Sequence, residues 1–200
     1  MTLKIDFEIP ATTPIEAPEK VWELQCMLDS LAQELYGPRN SRITLKPPIF
    51  TNDPDAPQVG FSNEGAHAEL DSAASSDWTR CIYQLSHETI HLLDPRLRPP
   101  FGKGSNYLEE GVAVEFSLLV CKSLFLNIDV SSEKYREARR RLLKIGVKDF
   151  HGKLKSMRQC AGHFADVTSD LISQIAPQCR GNNAAKLAES YYTSKPHIHP

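Results

Sequence analysis

The pattern of apolar and polar residues predicts strands in the first part of the chain. Residues 2–9 alternate between apolar and polar side chains and predict a short strand, and residues 41–50 predict a second. A β-hairpin is expected from strands 58–62 and 66–70, because Asn63-Glu64-Gly65 between them is a typical turn sequence.

Helical periodicity dominates the rest of the sequence. Helices are predicted over residues 19–36, from Trp78 to about Leu93 and from Asn106 to about Phe125. From residue 131 onward the chain is predicted to be mostly helical. Breaks are expected near Gly146, Gly152, Gly162 and residues 177–181.

Because strands precede helices, the expected fold class is α+β within one domain over residues 1–200. This domain would have a strand-rich part over residues 1–75, two central helices over 76–126 and a helical part over 127–192. Residues 193–200 are predicted to be a flexible tail.

Composition narrows the classes of protein that this chain resembles. A formal net charge of −2 argues against nucleic-acid binding. The first residues lack the apolar run of a signal peptide, and the sequence lacks a membrane-spanning stretch. Five cysteines without close pairing favour reduced thiols, so we expect a cytoplasmic protein that binds neither membranes nor nucleic acid.

The chemistry of the sequence is concentrated in His87-Glu88-Thr89-Ile90-His91, an H-E-x-x-H motif within a predicted helix. Histidines four positions apart project from the same helical face, so both imidazoles can bind one zinc ion. Zinc lowers the pKa of a bound water to about 7, and Glu88 can take its proton as a general base. A catalytic zinc also needs a third protein ligand and an open position.

Eighteen residues separate His91 from Glu110, which is followed by Gly111 and Ala113. This pattern, H-E-x-x-H then Glu and Gly-x-Ala, resembles the gluzincin metallopeptidases, especially the aminopeptidase N type. The resemblance covers roughly residues 58–117. It implies a zincin-like fold and one zinc ion per chain, held by His87, His91 and Glu110. Glu109 is the alternative third ligand, but it lies three residues after Asn106 and suits a helix-capping box instead.

The same resemblance assigns roles to residues outside the motif. Gly60, Phe61 and Ser62 would belong to an edge strand that pairs with the substrate backbone. The chain departs from the family where thermolysin-type members carry an aspartate that orients the first histidine, since Val114 stands there. Other acceptors for the outer histidine nitrogens are therefore needed, and the candidates are Asp71, Asp94 and Glu115.

A downstream side chain is expected to stabilise the oxyanion of the transition state. His163 is our prediction, and His151, Tyr191 and Tyr192 are alternatives. The predicted function is zinc-dependent hydrolysis of a peptide or protein substrate, with Glu88 and His163 as catalytic residues. The alternative is a zincin-like zinc-binding interaction module with little or no turnover.

Overall fold

The protein has an α+β architecture in a computed structural model that describes residues 3–130 and 132–192. Within these ranges it contains a three-stranded sheet and seven α-helices. The strands are β1 Ile49–Thr51, β2 Gln58–Ser62 and β3 Gly65–Asp71. The helices are α1 Pro18–Tyr36, α2 Trp78–Leu92, α3 Tyr107–Ser123, α4 Glu133–Leu142, α5 Phe150–Ala161, α6 Ser169–Ile175 and α7 Asn182–Ala188.

Strand β3 lies in the centre of the sheet. It pairs in parallel with β1 and antiparallel with β2, so that Gly60 lies opposite His67. Ala66, Ala68 and Leu70 of β3 are fully buried, as expected for the alternate residues of a strand that face a core. Strand β2 is therefore an edge of this sheet, and its outer side pairs with no other strand among the described residues.

Helix α2 packs against both β3 and α3 at the centre of the molecule. Asp77 begins the helix, since its carboxylate accepts a hydrogen bond of 2.8 Å from the Thr79 N–H. A buried hydrogen bond of 2.9 Å from Gln25 to the Thr89 hydroxyl joins α1 to α2. Because α2 is covered on several sides, most of its side chains are buried, and polar residues among them need specific partners.

Helices α3 and α4 approach each other closely at Gly111. A Cβ atom at this position would lie 2.9 Å from the Ala138 carbonyl oxygen and 3.0 Å from the Leu142 Cβ. Glycine is therefore required for this helix contact, which lies directly beside Glu110.

The predicted helices over residues 19–36, 78–93 and 106–125 are confirmed, as is the hairpin formed by β2 and β3. The strand predicted over residues 2–9 is wrong for its described part. Leu3 and Phe7 are buried in the core without joining the sheet, so their alternation reflects core contacts of an irregular segment.

Two further predictions are corrected. The strand expected over residues 41–50 is mostly irregular, because Pro47 and Pro48 have no N–H to donate to a sheet, and β1 begins only at Ile49. Gly152 lies within the first turn of α5 and does not break it. A helical glycine costs only about 1 kcal/mol, and burial of Leu154 and Met157 outweighs that cost.

One hydrophobic core draws on residues from Leu3 to Tyr191. No helix within residues 3–130 and 132–192 has both the length and the apolar content needed to cross a bilayer. The flexible tail predicted over residues 193–200 lies outside the described residues.

Candidate metal centre

His87 and His91 lie one turn apart on α2 and present their Nε2 atoms to the same point. The two Nε2 atoms are 3.4 Å apart, and the ring centroids are separated by 5.1 Å. Both residues lie on α2, which packs against α3. The i, i+4 spacing therefore places both imidazoles on one face of the helix, as the motif predicts.

Glu110 reaches both histidines from the first turn of α3. Its Oε2 lies 3.3 Å from the His87 Nε2, and its Oε1 lies 3.7 Å from the His91 Nε2. One ligand atom from each of these three residues lies within 4.8 Å of the others. The Ser105 hydroxyl donates a hydrogen bond to Glu110 Oε1 and holds the carboxylate in this orientation.

The cap of α3 sets the direction from which Glu110 enters the site. The side-chain oxygen of Asn106 accepts a hydrogen bond of 2.9 Å from the Glu109 N–H. Its amide nitrogen donates to the Phe164 carbonyl oxygen, also at 2.9 Å. The start of α3 is thus fixed to the chain that follows α5, and both glutamates of its first turn face α2.

These residues fit a divalent metal ion. Two imidazole nitrogens and one carboxylate oxygen form a common ligand set of catalytic metal sites. Glu110 Oε2 is buried, and its ion-pair contact with the His87 Nε2 at 3.3 Å does not have hydrogen-bond geometry. A buried carboxylate oxygen is costly in a protein interior unless a cation or a donor satisfies it.

Glu109 has a role that the sequence did not predict. Its Oε1 lies 3.0 Å from the His91 Nδ1, so the capping box that we expected does not form. An Nδ1–H that donates to Glu109 leaves the lone pair of His91 Nε2 free for a metal ion. The three acceptors that we had considered bind elsewhere: Asp71 pairs with Arg80, Asp94 with Asn40, and Glu115 with Arg139.

The electrostatics of the metal-free site reflect its surplus of carboxylates. Burial lowers the pKa of His91, but the charges of Glu110 and Glu109 act more strongly together and raise it to about 9. Burial likewise raises the pKa of Glu110, but His91 and His87 outweigh it and lower the pKa to about 2. A proton on His91 therefore stands in for the positive charge that a metal ion would bring.

Glu88 lies beside the ligand cluster and lines a cavity of about 340 Å³. The residue is only 1% exposed, and its Oε2 has no hydrogen-bond partner among the described residues. His91 also lines this cavity, so the cluster is accessible from it. The carboxylate is thus available to a molecule that enters the cavity.

The edge strand β2 forms one wall of the cavity, through Gln58, Val59 and Phe61. Of the three substrate-binding residues that we predicted, Phe61 faces the cavity. Gly60 and Ser62 are not among the lining residues.

The structure does not support the oxyanion role predicted for His163. Its Nδ1 accepts a hydrogen bond of 2.7 Å from the Ala165 N–H, and its Nε2 donates to the Asp94 carbonyl oxygen at 2.8 Å. Both ring nitrogens are therefore occupied by backbone groups, and the residue does not line the cavity. The position of His163 in the sequence, directly after Gly162, carries no information about these contacts.

Among the alternatives to His163, Tyr192 lines the cavity, whereas His151 contacts the Tyr36 hydroxyl. Burial is the main cause that raises the pKa of Tyr192, so its hydroxyl stays protonated. Arg98 also lines the cavity and lies against the Tyr192 ring. Arg98 was not predicted as a site residue, because it lies in a loop that has no periodic pattern.

No protein family model, curated protein or solved structure matches this chain. The geometry of the site therefore carries the functional argument.

Proposed function

We propose that this protein is a zinc-dependent hydrolase of peptide bonds with a zincin-like architecture. The observation that carries the proposal is the convergence of His87, His91 and Glu110 beside Glu88, a buried carboxylate in a cavity that reaches the cluster. A purely structural metal site has no need for an additional carboxylate such as that of Glu88.

The choice of zinc rests on the donor set. Two histidines and a glutamate from two helices are a ligand set of zinc peptidases, which keep a further position open. The order of the elements also resembles the gluzincin pattern. A small sheet with an edge strand comes first, then the helix that carries the histidines, and then the helix that carries the glutamate.

Each remaining group has a defined task in peptide hydrolysis. Zinc in such a site lowers the pKa of water and polarises a carbonyl group. Glu88 accepts the proton of the attacking water and returns it to the nitrogen of the leaving amine. Tyr192, protonated at neutral pH, donates a hydrogen bond to the carbonyl oxygen as negative charge develops on it.

Strand β2 supports the choice of an extended peptide as substrate. Its outer backbone groups pair with no other strand of the described residues, so they can form hydrogen bonds with a peptide that lies along this edge. Such pairing aligns the scissile bond without reading a particular side chain.

The test compares wild type with Glu88→Gln. Purified wild type should contain about one zinc ion per chain and cleave members of a broad peptide library, and a chelator should abolish cleavage. Glu88→Gln should keep its zinc but lose about 10²- to 10⁴-fold in rate, as expected on removal of a general base. Glu64→Gln, which removes an exposed carboxylate on the β2–β3 turn, is the matched control and should cleave normally.

Equal rates for Glu88→Gln and wild type would contradict the mechanism. A zinc-loaded protein that cleaves neither the library nor folded proteins, yet binds a specific partner, would favour the interaction module instead.

A further inference from the structure

Arg98 lines the cavity beside Glu88 and His91 without forming an ion pair with any described carboxylate. Its Nη1 donates to the Gln58 side-chain oxygen and its Nη2 to the Pro57 carbonyl oxygen, each at the long distance of 3.4 Å. A guanidinium group has five N–H donors and usually binds a carboxylate through two of them. Arg98 therefore retains capacity for an anionic ligand.

Arg96, which lines the same cavity, provides a contrast. Its guanidinium is bound to both carboxylate oxygens of Asp166, at 3.0 Å and 2.5 Å. The Lys103 ammonium also lies 3.3 Å from Asp166. Arg96 is therefore occupied within the protein, whereas Arg98 faces the cavity with only weak partners.

The surroundings of Arg98 keep its side chain charged and in place. Its Cζ lies 5.3 Å from the centre of the Tyr192 ring, a cation–π contact that restricts the guanidinium. Burial works against the charge, but the carboxylates of Glu88 and Glu110 favour it and contribute to a raised pKa of Arg98. Arg98 is therefore charged and restrained in the cavity before a ligand enters.

Large apolar side chains lie exposed along the same cavity. Phe61, Leu97 and Phe101 all line it, and their exposed fractions are 44%, 51% and 83%. Exposed apolar residues gathered at one cavity mark a binding surface more strongly than scattered ones do. A ligand that suits this cavity combines an anionic group with apolar surface.

We propose that the cavity selects peptides with a carboxylate group that Arg98 binds, next to an apolar residue that contacts Phe61, Leu97 and Phe101. This inference rests on the proposed peptidase function, because it names the substrate class of the same site. The carboxylate can come from the free C-terminus of a peptide or from an Asp or Glu side chain. Both sources offer the planar pair of oxygens that a guanidinium binds.

Four matched peptides with the same apolar sequence distinguish these sources. One has a free C-terminal carboxylate, and one has a C-terminal amide. The other two are amides that carry one internal Glu or one internal Gln. Binding of each is measured by calorimetry on zinc-loaded Glu88→Gln protein, and turnover of each is measured on wild type.

We expect the protein to prefer carboxylate peptides over their neutral partners by about 10- to 100-fold, the range of a hydrogen-bonded charge. Preference for the free acid would identify the C-terminus, and preference for internal Glu over Gln would identify a side chain. Arg98→Gln in the same background should abolish the preference, while Arg98→Lys should retain part of it because the charge remains without the fork geometry.

Arg96→Gln is the matched control, since it removes the same charge from the same cavity. It should leave the ratio of acid to amide affinity within about twofold, because Arg96 is occupied by Asp166. Equal affinity for all four peptides, retention of the preference in Arg98→Gln, or no binding of any peptide would overturn the assignment.

The two proposals fail in distinguishable ways. Carboxylate preference in binding without cleavage by wild type would refute the peptidase function and leave the assignment of Arg98 intact. Cleavage of acid and amide peptides at equal rates, unchanged by Arg98→Gln, would refute the role of Arg98 and leave the peptidase function intact.

Discussion

Adjacent glutamates of α3 contact opposite nitrogens of one imidazole ring. Glu109 lies at the His91 Nδ1, and Glu110 lies near its Nε2. The outer carboxylate fixes the ring and its tautomer, while the inner one belongs to the cluster that could hold a metal ion. Two residues of the same type thus have different tasks, which follow from their directions on the first turn of the helix.

This division predicts unequal effects of two conservative substitutions. Glu110→Gln should abolish measurable zinc binding or weaken it more than Glu109→Gln does, because it replaces a ligand. Glu109→Gln should lower zinc affinity about 10- to 100-fold, the usual effect of removing the partner of a ligating histidine. Competition with a chromogenic chelator gives both affinities. If Glu109→Gln had the larger effect, Glu109 would be the ligand instead.

Tyr192→Phe tests the oxyanion donor. It removes one hydroxyl and preserves the ring against Arg98, so kcat should fall about 10²- to 10³-fold while KM changes little. Tyr191→Phe is the control, since Tyr191 stacks on Tyr135 and does not line the cavity. Steady-state kinetics that show equal losses for both variants would exclude a specific role for the Tyr192 hydroxyl.

The sequence predicted those site residues whose positions depend on local geometry. His87 and His91 share a face because of helical spacing alone, and Glu88 follows from the same motif. Glu109, His163 and Arg98 could not be assigned correctly in this way. Their hydrogen-bond partners lie 18, 69 and 40 residues away in the chain, so only the tertiary fold determines their roles.

At the scale of elements, the contact between α3 and α4 holds the glutamate helix against its neighbour. Gly111 lets the Ala138 backbone approach α3, and Leu142 of α4 is fully buried in the same region. Val112 and Ala113, which follow on α3, are also fully buried in the core. Because Glu110 lies on the same helix, a shift of α3 would displace its carboxylate. A glycine that is needed for packing therefore lies directly beside a residue of the candidate metal cluster.

Gly111→Ala and Gly111→Val form a graded test of this contact. Overpacking in a core costs about 1–3 kcal/mol, which corresponds to a fall in Tm of about 2–12 °C for a chain of this size. The valine variant should lose more than the alanine variant, and both should bind zinc more weakly. Lys122→Ala, at the exposed end of α3, should change stability by less than about 0.5 kcal/mol. Thermal melts with unchanged Tm for Gly111→Val would show that the two helices separate without cost.

Elements whose apolar pattern matches their burial were predicted well from the sequence. In α1, Leu24, Leu28 and Ala32 are fully buried on one face, as the helical spacing requires. The segment of Leu3 and Phe7 has an equally regular pattern but forms no strand, because a strand also needs a partner with free backbone groups. Periodicity predicts which side chains face a core, and pairing decides which segments become a sheet.

At the scale of the whole molecule, the site joins the two central helices through ionisable groups. Glu88, Glu109 and Glu110 are each less than 5% exposed, and they lie close together around His87 and His91. Like charges buried this closely oppose folding unless protons or a cation compensate for them. Zinc should therefore act on the global stability of the protein and on its activity alike.

Zinc should raise the Tm of the protein, and the increase should grow with pH. At a free zinc concentration 100 times Kd, binding to the folded state contributes about 2.7 kcal/mol, which is a rise of about 5–10 °C. Without metal, the pKa of His91 is raised to about 9 from its ordinary 6.5. The protonated ring therefore stabilises the metal-free fold fully below pH 6.5, and this contribution disappears as the pH rises through about 9.

Zinc binding has the opposite dependence, because the ligand histidine must lose its proton first. The difference in Tm between buffered zinc and chelator should thus widen from pH 6.5 to pH 9, and differential scanning calorimetry can follow it. His91→Ala should remove both the zinc effect and its pH dependence. If the difference in Tm stayed constant across this pH range, no proton would leave the site on metal binding. That outcome would contradict the raised pKa of His91 beside the two glutamates.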